Sequence, residues 1–93
     1  MKQKNLTISD SFNLAVQNHQ KNNLKVAENL YKKILKINPH HSSAHNNLGI
    51  VFKETGEVQK AKSCCEKAIE INPNYVDAHN NLGAVLNELG EHQ

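Results

Sequence analysis

The sequence predicts an all-α solenoid of stacked antiparallel helix pairs, on two observations. The 93-residue chain restates itself: Ile37-Asn38-Pro39 returns as Ile71-Asn72-Pro73, and Ala44-His45-Asn46-Asn47-Leu48-Gly49 as Ala78-His79-Asn80-Asn81-Leu82-Gly83. From Pro39 to Pro73, and from Gly49 to Gly83, the shift is 34 residues. That period belongs to helix–turn–helix repeats, which bury their apolar faces only by stacking on neighbours. Within each unit, apolar residues recur at steps of three and four, the spacing of one helical face.

The elements follow in order. A first helix near 8–21 carries Leu14 and Ala15 and stops at Asn22, which after Gly tolerates the left-handed cap best. A second near 24–37 carries Ala27, Tyr31 and Ile34, and Pro39 closes it. The third, near 42–55, has Ala44, Leu48, Val51 and Phe52 before Gly56. The fourth, near 58–71, has Val58, Ala61, Cys65, Ala68 and Ile69 before Pro73. The fifth, near 76–89, has Ala78, Leu82, Val85, Leu86 and Leu89 before Gly90, and a stub begins at Glu91. Turns are expected at 22–23, 38–41, 56–57 and 72–75. Gly49 and Gly83 fall mid-helix, where Gly costs about 1 kcal/mol against Ala. Close approach of two helix backbones is the expected compensation.

Leu48, Gly49, Phe52, Gly56, Ala61, Ala68 and Pro73, at this spacing, resemble the tetratricopeptide repeat. Leu82, Gly83, Leu86 and Gly90 restate the pattern, and Leu14, Ala15, Ala27, Tyr31, Ile34 and Pro39 give a looser first copy. The resemblance implies one domain over 1–93, an all-α tetratricopeptide-repeat solenoid of about two and a half repeats. The repeats would lie near 8–41, 42–75 and 76–93, the last truncated. The chain departs from the pattern where Ser11, His45 and His79 take the place of its early aromatic, and Cys65 that of the later one. Gln17 and Asn18 stand where the first helix should be apolar.

Composition narrows the function. Lysine supplies all eleven basic residues against nine acids. Arg, best suited to bidentate phosphate recognition, is absent, so nucleic acid is not an expected partner. The basic residues Lys21, Lys25, Lys32, Lys33 and Lys36 read as a solvated outer face of the first repeat. The two cysteines, Cys64 and Cys65, are adjacent on one helix and point about 100° apart, so they cannot pair with each other without distortion. A reducing, cytoplasmic setting is expected. No signal peptide and no membrane span are read from the N-terminus or from any apolar run.

Asn13, Asn47 and Asn81 lie 34 residues apart, at one register of the first helix of each repeat. A side-chain amide both donates and accepts, so a column of them can grip a peptide backbone. The resemblance places this register on the inner curve of the solenoid. It is similar there to the Asn ladder of O-linked N-acetylglucosamine transferases and related bacterial repeat proteins, whose wording also resembles Ala-His-Asn-Asn-Leu-Gly. Helical geometry brings Ser43, Ile50, Lys53 and Glu54 beside Asn47, and Asp77, Ala84, Asn87 and Glu88 beside Asn81. Ser9, Val16, His19 and Gln20 flank Asn13. The candidate peptide-binding set is therefore Asn13, Asn47, Asn81, Ser43, Ile50, Lys53, Asp77, Ala84 and Asn87. The plainer reading is a solvated polar face.

Other chemistries find less support. A carboxylate clamp, another mode of the family, would fall on Phe12, Val16, Asn47, Asp77 and Asn81, which lack cations. His41 and His45 have the spacing of two metal ligands, but no third is specified. No Gly-rich phosphate loop, paired catalytic carboxylates or Ser/His/Asp arrangement appears. No cofactor, metal or catalytic residue is expected. The expected function is protein–protein interaction, with an extended peptide as ligand. One alternative is the N-terminal, substrate-recruiting repeats of a larger glycosyltransferase-like or sulfotransferase-like enzyme. Another is a structural self-association module. The stop within a repeat suggests a fragment, or a chain that completes itself by association through the helix at 76–89.

Overall fold

The computed structural model describes residues 6–91. Five helices follow one another: α1 (Ile8–Gln20), α2 (Leu24–Ile37), α3 (Ser42–Thr55), α4 (Val58–Ile71) and α5 (Val76–Glu88). Among the described residues there is no strand. Helices adjacent in sequence pack on each other, and α3 also meets α5. The odd-numbered helices therefore stand side by side, with α2 and α4 behind them. The body is elongated, 55 × 26 × 17 Å.

Local chemistry sets the boundaries. Thr7 caps α1: its hydroxyl accepts from the Asp10 N–H at 3.0 Å, and its own N–H donates to the Asp10 carboxylate at 3.2 Å. This capping box satisfies two N–H groups that a helix start leaves free. The expected left-handed stops are present at Asn22 (φ 65°), Gly56 (φ 86°) and Gly90 (φ 73°). α1 and α5 each end one residue earlier than the periodicity suggests, at Gln20 and Glu88. The stub expected from Glu91 lies largely outside the described residues.

The core is aliphatic and small: Ala15, Ala27, Ile34, Ala44, Val51, Ala61, Cys65, Ala68, Ala78 and Val85 are buried, with Tyr31 and Phe52 as its large members. Six residues of α3 are buried but only two of α5. Leu14 departs from its place in the repeat pattern. It is 39% exposed, whereas Leu48, one repeat on, is 5% exposed. α3 has a helix pair before it to pack against; α1 has none among the described residues. Ser11, where the pattern wants an aromatic, borders a hollow of about 350 Å³ that Leu30, Ile34 and Ile37 also line. At the same register His45 and His79 donate from Nε2 to the Pro39 and Pro73 carbonyls, each at 2.8 Å. The ring ties each first helix to the turn before it.

The even helices carry a band of charge around Phe52. Glu28, nearly buried, accepts Lys32 at 2.6 Å and lies 3.8 Å from Lys25. Lys32 and Lys60 stand over the Phe52 ring at 5.8 and 5.5 Å, a cation–π arrangement that bridges α2, α3 and α4. Lys21, Lys33 and Lys36 are exposed, as expected for a solvated face.

Cys64 and Cys65 are free thiols, the first half-buried and the second fully buried. Burial pushes both upward, Cys64 from 9.0 to about 12. Only the thiolate is nucleophilic, so a three-unit rise removes it roughly a thousandfold at neutral pH. Iodoacetamide is therefore expected to label the folded chain far more slowly than the urea-unfolded chain, with mass spectrometry as the readout. Equal rates would contradict this burial. A raised folded-state pKa contributes stability that is full below pH 9 and is lost as pH climbs toward about 12. Cys64→Ala should flatten that alkaline decline.

Candidate peptide-binding face

The candidate residues lie on the odd-numbered helices, which meet through side chains at repeated registers. The α1–α3 joint is made by aromatic rings and a hydrogen bond. Phe12 stacks on His41 with ring centroids 5.2 Å apart and meets Tyr31 edge-on at 5.9 Å. His41 is held in place because Nδ1 accepts the Ala44 N–H at 3.0 Å, which makes it the N-cap of α3. At the other end of α1, His19 Nε2 meets the Glu54 carboxylate at 2.6 Å. The groove neighbours His19 and Glu54 are thus joined to each other.

The α3–α5 joint is made of amides and hydroxyls. Asn81 donates to the Asn46 side-chain oxygen at 2.9 Å, and Asn46 donates to that of Asn47 at 3.2 Å. Asn47 donates in turn to the Tyr31 hydroxyl at 3.3 Å. One chain of hydrogen bonds therefore runs α5–α3–α2. Alongside it the Tyr75 hydroxyl donates to Ser43 Oγ at 3.3 Å. Burial raises the Tyr31 phenol above its ordinary value, an effect partly opposed by the bond from Asn47.

Of the candidates, Asn47, Asn81, Ser43, Ile50, Lys53 and Ala84 are half-buried, and Asn13, Asp77 and Asn87 are exposed. Asn47 and Asn81 each have one amide N–H in an internal bond and a second outside that bond. Asn81 also keeps its side-chain oxygen. Asn13 stands apart from this chain, at the outer side of α1, where it lines a shallow hollow with Leu6, Asp10, Leu14 and Gln17. The face is mixed in charge: His19, Lys53, Glu54, Asp77 and Glu88 surround the amides.

Two members of this constellation were not anticipated from the sequence. Asn46 is 3% exposed and couples the two ladder residues. Its signal was present, because Asn46 and Asn80 share the 34-residue period as fully as Asn47 and Asn81 do. Tyr31 belongs to the even helix α2, and no spacing rule links it to Asn47.

His41 and His45 each bond to the backbone through one ring nitrogen. Among the described residues no three His, Cys, Asp or Glu side chains gather as a metal site would require. None of the described helices is long and apolar enough to cross a membrane.

Paired helices stacked in register, with a polar face along one side, define a helical-repeat interaction module. Tetratricopeptide-repeat profiles match residues 42–75 and 64–93, together more than half of the chain. The chain belongs to the tetratricopeptide-repeat family, whose repeats mediate protein–protein interaction. Among solved structures, two crystal structures of MamA share its fold, with TM-scores of 0.86 and 0.85. Each is 24% identical and covers 90% of this chain. The chain spans 49% and 46% of their lengths, about half. Comparison with curated protein sequences finds no match.

Proposed function

We propose that this chain binds an extended peptide segment along the face formed by α1, α3 and α5. The observation that carries the reading is the position of Asn47 and Asn81. Both are half-buried on adjacent odd-numbered helices, internally braced, and each has an amide N–H beyond those it uses for bracing. Braced amides lose little side-chain freedom on binding, which lowers the cost of association. Ser43, Ile50, Lys53, Asp77, Ala84 and Asn87 would flank the ligand, and Asn13 would extend the contact past α1. Backbone recognition through amides favours an extended chain of loose sequence preference. Two unpaired thiols in a small fold support a cytoplasmic setting.

The test is a displayed peptide library selected against the whole chain, followed by titration of a selected peptide. Each amide contact is worth about 1 kcal/mol, roughly fivefold in affinity. The Asn47→Ala, Asn81→Ala double variant should therefore bind about 30-fold more weakly, with its helical circular dichroism retained. Unchanged affinity would remove the amide face from recognition.

A second reading, self-association through α5, is favoured by a separate observation. Leu82 and Leu86 of α5 are only half-buried, and a Cβ on Gly83 between them would meet nothing within 4 Å beyond its own stretch of helix. Light scattering at micromolar concentration should report a species larger than the monomer, lost in a Leu82→Glu, Leu86→Glu variant. A monomeric wild type would end this reading.

A further inference from the structure

The outer side of α2 carries positive charge that the neighbouring helices do not neutralise. Lys25, Lys32 and Lys36 fall in one line along it, at steps of seven and four residues, about 16 Å from end to end. A second line beside the first holds Val26, Lys33 and Ile37, with Val26 47% and Ile37 72% exposed. Glu28 is the one acid of α2; it is nearly buried, and Lys25 and Lys32 share it. Among the described residues no carboxylate lies within ion-pair distance of Lys33 or Lys36. Lys36 stands three residues from Lys33 and four from Lys32, a spacing at which like charges on a helix repel. One repeat on, the same registers are filled differently. Gln59, Glu66 and Glu70 take the places of Lys25, Lys32 and Lys36. The lysines of α4 each meet an acid: Lys60 meets Glu57 at 3.0 Å, Lys62 meets Glu91 at 2.9 Å, and Lys67 meets Glu70 at 3.2 Å. The packing of the repeat therefore does not require lysine at these places, and the self-repelling line belongs to α2.

We propose that the outer side of α2 binds an acidic amphipathic helix of a partner protein. A charge arrangement that costs the free fold something, with no return inside it, finds its compensation in a ligand of opposite sign. Carboxylates at steps of four and seven residues on that helix match Lys36, Lys32 and Lys25. Aliphatic side chains on its adjoining line cover Val26 and Ile37. A flat anionic surface such as a bilayer fits less well, because a plane broad enough to rest on both even helices also meets Glu66 and Glu70. Nucleic acid fits less well too: the chain has no Arg for bidentate phosphate contact, and phosphates gain nothing from Val26 and Ile37. The inference stands independently of peptide binding on the amide face, since α2 lies behind the odd-numbered helices and its lysines take no part there.

The probe is a fluorescein-labelled helical peptide of about 18 residues, long enough to span the lysine line. It carries glutamates at steps of four and seven residues, leucines on the adjoining line, and alanine and glutamine elsewhere. A control peptide of the same composition scatters the glutamates around the helix. Each is titrated by fluorescence anisotropy at low salt, where exposed charges are least screened. The whole chain is used as wild type, as Lys33→Glu, Lys36→Glu, and as Asn47→Ala, Asn81→Ala. Lys33 and Lys36 are exposed, so their variant should keep the fold, which circular dichroism verifies. The expected result is saturable binding to the wild type, at least about tenfold weaker for the lysine variant. Affinity should be unchanged for the amide-face variant, and the control peptide should bind at least about threefold more weakly. Three results would overturn the proposal: no saturable binding up to about millimolar peptide, equal affinity for the lysine variant, or equal binding of the control peptide. Phosphatidylserine vesicles and an oligouridine are run beside the peptides. If the wild type binds either of these but not the peptide, and the lysine variant binds neither, the face serves a bilayer or a nucleic acid and the proposal falls.

Discussion

Alanine at Gly83 is expected to stabilise the chain by about 1 kcal/mol, whereas leucine at Gly49 is expected to cost about 1–3 kcal/mol or more. The two glycines follow the same Ala-His-Asn-Asn-Leu segment and have opposite surroundings. At Gly83 a Cβ meets nothing within 4 Å, so the substitution recovers helix propensity without a clash. At Gly49 even a Cβ lies 3.2 Å from Cys64 and Cys65, and a longer side chain must push α4 off its seat. For a domain of this size, 1 kcal/mol moves the melting temperature by about 4–8 °C. Thermal and urea denaturation followed by circular dichroism read both effects. A neutral Gly49→Leu would show that the α3–α4 contact yields easily. No gain at Gly83→Ala would show that α5 is already covered in solution.

The second expected result concerns another pair at one register. Asn46→Ala should cost about 1–3 kcal/mol, because it removes one bonded partner from Asn81 and another from Asn47 in a buried setting. Asn80→Ala makes the same change one repeat on, at an exposed position, and should stay within about 0.5 kcal/mol of wild type. The comparison cancels composition and helix propensity, leaving burial and bonding as the difference. Equal effects in the two variants would mean that the amide chain through Asn46 adds nothing to stability. Tyr31→Phe tests its far end, where the Asn47 amide loses its acceptor.

Much of the fold was legible because its signals are local. Gly56, Gly90 and Asn22 mark helix ends through backbone preference, and all three adopt the left-handed conformation. Pro39 and Pro73 close α2 and α4 by sterics that need no tertiary context. The Thr7–Asp10 capping box is equally local, but the 34-residue repeat does not restate it: one repeat on, His41 is the N-cap. What was not legible depends on the neighbour. Asn46 and Asn47 are adjacent and chemically identical, so only the position of α5 decides which is buried. Leu14 and Leu48 share a register, yet only Leu48 has a preceding helix pair to cover it. Gly49 and Gly83 read alike for the same reason, and close packing is realised only at Gly49. His45 and His79 stand at the place of the pattern's early aromatic; their bonds to the Pro39 and Pro73 carbonyls follow from turn geometry that spacing does not encode.

The uneven distribution of buried residues along the odd helices has a consequence for amide exchange. α3, with six buried residues and neighbours on both sides, should exchange its backbone protons only through opening of the whole domain. α5, with Ala78 and Val85 as its only buried residues, should exchange through fraying that leaves the rest intact. A ligand held by Asn81 would stabilise the closed form of α5 in proportion to its occupancy. Deuterium uptake in α5 alone would then report binding, and the slow protons of α3 would serve as the reference within the same molecule.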